Sequence, residues 1–419
     1  MIQEKRILSS IDVGTTKICT IISEKSCSGA LSILGHGVVP SIGISKGNVM
    51  DEVKTGEAIR SSIAMAERDS SVKIESAHVS ITGSHISFEN RISILDWVGR
   101  NGVITKDDLS QVPSTIANSM NDTGKEIIHA LPIAYSLDGE YGIRDPLGMH
   151  SNRLEVQSHI VTASPSLTRK LVRSVENAGV KVQSLVLQPL ASSASVLTKE
   201  EKEHGVALVD IGGGTTDVVV YREGTVCFSS VIPVGGIQFT NDISLTYDTS
   251  RSAAEDAKLA YASTEPETVG PEEHVRLNIE GRKTELKIPR HELCQLTKER
   301  GQELVRLIKL KLDDAEIGDL TTYKVVMTGG GSILPGLENL IKRMITENVR
   351  MGCPNGYIEN IPDDLNTPSY STGLGILIWA ASHTVHEEPN SRKNGTGKPM
   401  SDSGNAITRV IHKIKGVFQ

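Results

Sequence analysis

Two copies of one short pattern carry the chemistry of this 419-residue chain. Ile7-Leu8-Ser9-Ser10-Ile11-Asp12-Val13-Gly14-Thr15-Thr16 is an apolar run that ends in Asp and breaks at a Gly-Thr turn. Val206-Ala207-Leu208-Val209-Asp210-Ile211-Gly212-Gly213-Gly214-Thr215-Thr216-Asp217 repeats it. A glycine turn between strands lets backbone N–H groups approach a phosphate with no Cβ in the way, and Thr hydroxyls add donors. An Asp at the strand end can hold Mg2+, usually through water, because that ion keeps most of its hydration shell. One such turn is commonly only a hairpin. Two of them, with Asp at the same offset, read as two loops closing on one phosphate chain. A third cluster, Thr328-Gly329-Gly330-Gly331-Ser332, follows an apolar strand and leads through Leu334-Pro335-Gly336 into a helix. It lacks the Lys of a P-loop, and no strand leads into a GxGxxG helix start. Its glycines would let a flat ring approach the backbone, and adenine is the natural guest.

These turns need strands to hold them. Each pattern is followed by two more β-rich runs, 17–23 and 31–40 in the first copy, 218–221 and 226–233 in the second. The repeat is too long for a solenoid and fits two similar α/β lobes facing one another. Apolar periodicity predicts helices over 54–68, 166–178, 189–198 and 291–312. Residues 75–163 read as a compact α+β insertion with strands at 77–81, 91–95, 125–131 and 156–161.

Composition removes several alternatives. Lys and Arg total 44 against 51 Asp and Glu, a net charge of −7, so there is no basic excess for general nucleic-acid binding. Aromatic residues make up 3% of the chain, too few for a base-stacking platform or a carbohydrate cleft. The longest nearly apolar run, 373–381, is far shorter than the ~20 residues a spanning helix needs. No signal peptide is visible, and five scattered cysteines without metal-ligand spacing suit a reducing compartment, hence the cytoplasm. After Trp379 the composition shifts: 386–405 reads as a polar linker. At 406–419, Ile407, Val410, Ile411, Ile414 and Phe418 fall on one helical face, with Arg409, His412, Lys413 and Lys415 around the other sides. A basic amphipathic helix on a leash suits an interfacial membrane anchor. The alternative is a helix that docks on its own core or on a partner. Residues 385–419 hold six basic and three acidic residues, a +3 end on a −10 body.

With these segments in hand, together with Leu190-Ala191-Ser192-Ser193-Ala194-Ser195-Val196-Leu197 and Tyr370-Ser371-Thr372-Gly373-Leu374-Gly375, the chain resembles the ATPase superfamily of actin, heat-shock chaperones and sugar kinases. Within it, the chain resembles the bacterial cell-division family FtsA over nearly its whole length. The resemblance implies a two-lobed actin-like (ribonuclease H-like) α/β fold. Its first lobe would be 1–82, 164–200 and 366–384, and its second 201–243 and 311–365. An α+β subdomain is inserted at 83–163, and 244–310 form the second lobe's outer subdomain. A linker at 385–405 and a membrane-targeting helix at 406–419 would follow.

The resemblance also implies ATP and Mg2+ in the cleft. Asp12 and Asp210 would hold Mg2+ through water. Gly14, Thr15, Thr16, Lys17, Gly212, Gly213, Gly214 and Thr215 would cradle the phosphates. Gly329, Gly330, Gly331 and Ser332 would flank adenine, and Glu255 and Lys258 would reach the ribose and base unless they form only a surface ion pair. Gln188 would orient a water for hydrolysis or merely begin a helix. The implied function is a filament-forming protein of cell division on the cytoplasmic face of the membrane. Its partners would be the tail of the tubulin-like ring protein FtsZ (on the outer subdomain), other copies of itself, anionic lipid and later division proteins. The rival readings are a related pilus-assembly ATPase, a sugar or acid kinase, and a heat-shock-type chaperone. The kinase would need a catalytic Asp that does not stand out, and the chaperone would need a β-rich peptide-binding domain after the ATPase.

Overall fold

The computed structural model describes residues 6–383 except 97, 99–100, 120–123, 279–284, 317 and 321. They fall into two units, 6–86 with 166–378, and 87–165 with 379–383. The expected amphipathic tail, 406–419, lies outside the described residues.

The first unit begins with an antiparallel meander, β1 (Arg6–Val13), β2 (Lys17–Lys25) and β3 (Leu31–Pro40). A small hairpin, β4 (Ile44–Ser45) and β5 (Asn48–Val49), leads into α1 (Glu52–Ser70). Asp51 caps α1, its carboxylate accepting from the Val53 and Lys54 N–H groups. A parallel partner cannot follow β1 through a hairpin, so the chain crosses over through α1 to reach β6 (Ser76–Ile81), parallel to β1.

The second unit follows. It contains β7 (Ile86–Asp96), α2 (Lys106–Ser119), β8 (Glu126–Leu137), β9 (Glu140–Ile143) and β10 (Arg153–Ala163), with sheet order β7-β10-β8-β9. Val112 and Ile116 of α2 join Leu154, Val156 and Ile160 of β10 in one core. Thr105 and Asp108 begin α2 with reciprocal side-chain-to-backbone bonds of 2.8 and 3.3 Å.

Back in the first unit come α3 (Pro165–Asn177), β11 (Lys181–Leu187) parallel to β6, α4 (Gln188–Val196) and α5 (Lys199–His204). A second meander, β12 (Val206–Ile211), β13 (Thr216–Arg222) and β14 (Thr225–Ile232), repeats the first. Then follow α6 (Gly236–Thr246), α7 (Arg251–Tyr261), the hairpin β15 (His274–Asn278) and β16 (Glu285–Pro289), and the long α8 (Arg290–Asp314). They return the chain to β17 (Lys324–Thr328), parallel to β12. A 3-10 turn at Gly330–Ile333, α9 (Leu337–Met344), β18 (Val349–Met351), β19 (Ile358–Glu359) and α10 (Ser371–His383) complete the described chain.

The two large sheets share one plan. The order β3-β2-β1-β6-β11 in one is matched by β14-β13-β12-β17-β18 in the other, and β19 extends the first sheet beside β3. This is the doubled α/β architecture expected from the repeat. Central β12 is buried at every position, which is why Val-Ala-Leu-Val reads as a continuous apolar run. One expectation is corrected. The strand at 77–81, read by its pattern as part of an insertion over 75–163, belongs to the first unit's large sheet, between β1 and β11, and falls within the 1–82 range that the resemblance implied for the first lobe. Its Ala77, Val79 and Ile81 are buried there, and an alternating pattern does not say which sheet buries it. Among the described residues no helix is long and apolar enough to cross a membrane.

Helices α4 and α10 approach with little room to spare. Ser192, Ser193 and Ser195 of α4 are fully buried, and the Ser195 hydroxyl donates to the Ser371 carbonyl at 2.7 Å. A Cβ added at Gly375 would run into the Ala191 carbonyl. Gly375→Ala is therefore expected to destabilise the protein by about 1–3 kcal/mol. Gly356→Ala, whose added Cβ meets nothing within 4 Å, should change stability by no more than about 0.5 kcal/mol. Urea denaturation of the two variants side by side checks this; equal midpoints would contradict the tight crossing.

Candidate functional site

The two glycine turns close in the same way. Asp12 lies opposite Cys19 and Asp210 opposite Asp217 in their ladders, and the Gly14 and Gly212 N–H groups donate to the Lys17 and Thr215 carbonyls at 3.0 and 2.8 Å. The turns also touch each other. A Cβ on Gly213 would lie 2.9 Å from the Thr16 hydroxyl, and one on Gly214 would lie 2.8 Å from the Thr15 methyl. A side chain at either place would have to displace the facing threonine. The third glycine cluster presses on the second turn. Gly329 sits at φ +86, where a Cβ would collide with the Asp210 carboxylate, and a Cβ on Gly331 would lie 2.7 Å from the Ile211 side chain.

All the residues anticipated for the nucleotide and its metal line one cavity of about 280 Å³, except Ser332. They are Asp12 and 14–17, Asp210 and 212–215, Gln188, Glu255, Lys258 and 329–331. Ser332 is buried and donates to the Gly329 carbonyl at 2.7 Å, so it braces the turn from behind. Gln188 opens α4 and lines the cavity as well; its amide donates to Asp12 Oδ1 at 3.2 Å. Lys258 Nζ bonds Glu255 at 2.7 Å, Thr240 Oγ1 at 3.0 Å and the Gly236 carbonyl at 3.2 Å, so the pair belongs to the cavity wall.

The electrostatics are unbalanced. Asp12, Asp210 and Asp217 are all buried, and Lys17 is the cation that acts on both Asp12 and Asp210. Burial raises the Asp12 carboxyl, against the Ser80 hydroxyl (2.8 Å), Lys17 and Gln188. Burial pushes Asp210 up to about 6, against hydroxyl donors from Ser192 and from Thr372 at 3.3 Å. Asp217 rises to about 7, from burial and from neighbouring Asp210, although Thr82 (2.5 Å) and Thr215 (3.0 Å) both donate to it. Burial lowers Lys17, whose ammonium also sits 3.8 Å over the Tyr370 ring. Among the described residues no group of three His, Cys, Asp or Glu side chains is placed to ligate a metal directly.

Sequence reasoning missed Thr82, Leu259, Ile333 and Thr372 in the lining, and Asp217 beside it. Asp217 sits in the repeated pattern, and a four-residue turn brings it opposite Asp210. Leu259 and Ile333 directly follow the anticipated Lys258 and Ser332, and Thr372 lies in the 370–375 segment, whereas Thr82 comes from a stretch with no signal of its own.

A carboxylate with a raised pKa destabilises the fold where it must ionise. Below about pH 4 Asp217 is protonated in both states and costs nothing. Between its ordinary value of 3.8 and about 7 its cost grows by roughly 1.4 kcal/mol per pH unit, and then levels off. Buried His129 and His159, held down to about 3 and about 4, act in the opposite direction below about pH 6.5, so the expected outcome is a difference: the melting temperature of ligand-free Asp217→Asn should rise relative to wild type as pH rises from 5 to 7.5, with a changed slope. Scanning calorimetry across that range reads both; an unchanged slope in the variant would acquit this carboxyl.

Comparison with known proteins agrees with this architecture. Residues 207–375 match the family described as "Cell division protein FtsA", and 83–162 match the "SHS2 domain inserted in FTSA". The chain is 32% identical to the cell division protein FtsA of Pseudomonas aeruginosa over 407 residues, covering 97% of this chain and 94% of the relative. It is 30% identical to that of Neisseria meningitidis over the whole length of both. Among solved structures it resembles the PilM-PilN type IV pilus biogenesis complex (TM-score 0.64, 14% identity, 89% of this chain and 98% of the other). It also resembles MreB5 of Spiroplasma citri bound to ADP (TM-score 0.50, 12% identity, 89% and 94%). The structural likenesses give the actin-like fold, and the near-full-length sequence identities give the family: this chain belongs to the FtsA family of cell-division proteins.

Proposed function

We propose that this protein binds ATP, polymerises on the cytoplasmic face of the membrane at the division site and tethers the FtsZ ring, helping to recruit later division proteins. The observation that carries the nucleotide half is the single cavity lined by both Asp-Gly-Thr turns and by the third glycine cluster. Backbone N–H groups there have no Cβ to keep a phosphate away, and Lys17 and the Thr hydroxyls add donors. Buried carboxylates facing one lysine suit a hard cation held through water, so Asp12 and Asp210 would hold Mg2+, and Gly329, Gly330 and Gly331 would flank the base. The bound metal would supply positive charge that offsets both the carboxylates and the phosphates. Glu255 and Lys258 would meet the ribose. Gln188 can orient a water but is no strong base, so hydrolysis through it would be slow.

The membrane half is supported by the sequence at 406–419. One copy of the tail has a modest affinity, since each surface cation contributes about 1 kcal/mol and Gly416 costs a similar amount of helix stability. Lateral assembly would turn many weak anchors into firm attachment. The FtsZ tail would bind the outer subdomain at 244–310.

Gly213→Val, which forces a side chain into Thr16, should weaken ATP binding by about 100-fold or more, as misplacement of a preorganised site does. Calorimetric titration with Mg-ATP measures this, and unchanged affinity would remove the turns from the site. Wild-type protein should co-sediment with anionic liposomes and form filaments on anionic lipid monolayers with ATP in the electron microscope. Ile411→Glu, and separately a monomeric variant, should leave the liposomes. Co-sedimentation unaffected by both changes would sink the anchoring model.

A further inference from the structure

We infer that the β4–β5 hairpin is a phosphate-dependent clasp: a phosphate chain in the cavity tightens it, through Thr15, on residues 83–85, with Asn48 as the positioning residue. This rests on the nucleotide reading above and extends it to regulation. Residues 82–85 join β6 to β7 and lead the chain toward the second unit, which begins at Ser87. The hairpin tip touches both the first phosphate turn and this connection. On one side the Gly47 N–H donates to Thr15 Oγ1 at 3.2 Å. On the other, His85 Nδ1 and Asn48 Oδ1 lie 2.6 Å apart, and the Asn48 amide donates to Ser84 Oγ at 3.4 Å. A carbonyl oxygen only accepts, so the His85 Nδ1–H donates. The backbones are equally close. Gly47 sits at φ +76, and a Cβ there would lie 2.9 Å from the Thr82 methyl and 3.0 Å from Gly83 Cα.

A hydroxyl has one donor and two acceptor sites. Thr15 lines the cavity, and its oxygen accepts from Gly47 while its proton remains for a phosphate oxygen. A phosphate that takes this proton polarises the hydroxyl and strengthens the Gly47 bond, because hydrogen bonds in a chain reinforce one another. Gly47, held more firmly, fixes Asn48 against Ser84 and His85. Thr82 is gripped separately, its hydroxyl donating to Asp217 at 2.5 Å, so the hairpin's own effect is read beyond it. There the Ile86 N–H donates to the Gly83 carbonyl at 3.1 Å and closes a turn, and that amide exchanges with solvent only when the turn opens.

The test is hydrogen exchange of the full chain, read by mass spectrometry over 83–86, without ligand and with Mg-ATP at a concentration that calorimetry shows to saturate each protein. In wild type Mg-ATP should slow exchange there at least about fivefold. Asn48→Ala and, separately, His85→Phe should still bind Mg-ATP and lose this slowing. Asn48→Asp, which keeps an oxygen for the His85 Nδ1–H, should retain it. The quantity compared is the ratio of rates with and without ligand, so a variant that merely loosens the segment raises both rates and leaves the ratio alone. An undiminished ratio in Asn48→Ala or His85→Phe overturns the clasp, as does a lost ratio in Asn48→Asp. Wild type that binds Mg-ATP with no slowing at 83–86 overturns the clasp and leaves the nucleotide site standing. Wild type that binds no Mg-ATP in the calorimeter overturns the nucleotide reading itself.

Discussion

Two buried carboxylates, Asp12 and Asp210, line one cavity and a third, Asp217, sits beside it, and the surrounding structure is arranged to tolerate them. Asp12, Asp210 and Asp217 would not remain ionised in an apolar interior without donors. The donors are hydroxyls: Ser80 for Asp12, Ser192 and Thr372 for Asp210, and Thr82 and Thr215 for Asp217. They come from the end of β6 (Ser80 and Thr82), α4, α10 and the second turn, so satisfying the carboxylates fixes these four relative to one another. Burial still raises Asp210 and Asp217 despite these donors.

The same demand accounts for the unusual composition of α4. Serines and alanines along that helix are small enough to let α10 approach and polar enough to donate where it does. Gly375 against the Ala191 carbonyl marks the limit of that approach. Both helices are held by close packing as well as by buried hydrogen bonds, the kind of contact that admits few intermediate geometries.

Much of this was legible in the chain. The repeated Asp-Gly-Thr pattern identified the two sheets and the paired turns, because a buried central strand must be continuously apolar and a hairpin needs its glycines next to it. The helices at 166–178 and 291–312 were visible from their periodicity and appear as α3 and α8. The strand at 77–81 was legible as a strand and not as a member of the first sheet, since period-two alternation is blind to which partner covers it. Ser332, beside three lining glycines, points away from the cavity because the 3-10 turn rotates it toward the Gly329 carbonyl.

The sequence alone determined the local chemistry: which turns could approach a phosphate and which strands are buried. These are properties of neighbours, set by spacing and side-chain type. Tertiary structure decided the convergence: that Thr15 and Thr16 rest on Gly214 and Gly213, that Asp217 takes its donor from Thr82, and that Leu259 and Ile333 share a cavity wall. Contacts between residues seventy or more positions apart depend on how two sheets and their crossovers pack, and no local pattern encodes that distance.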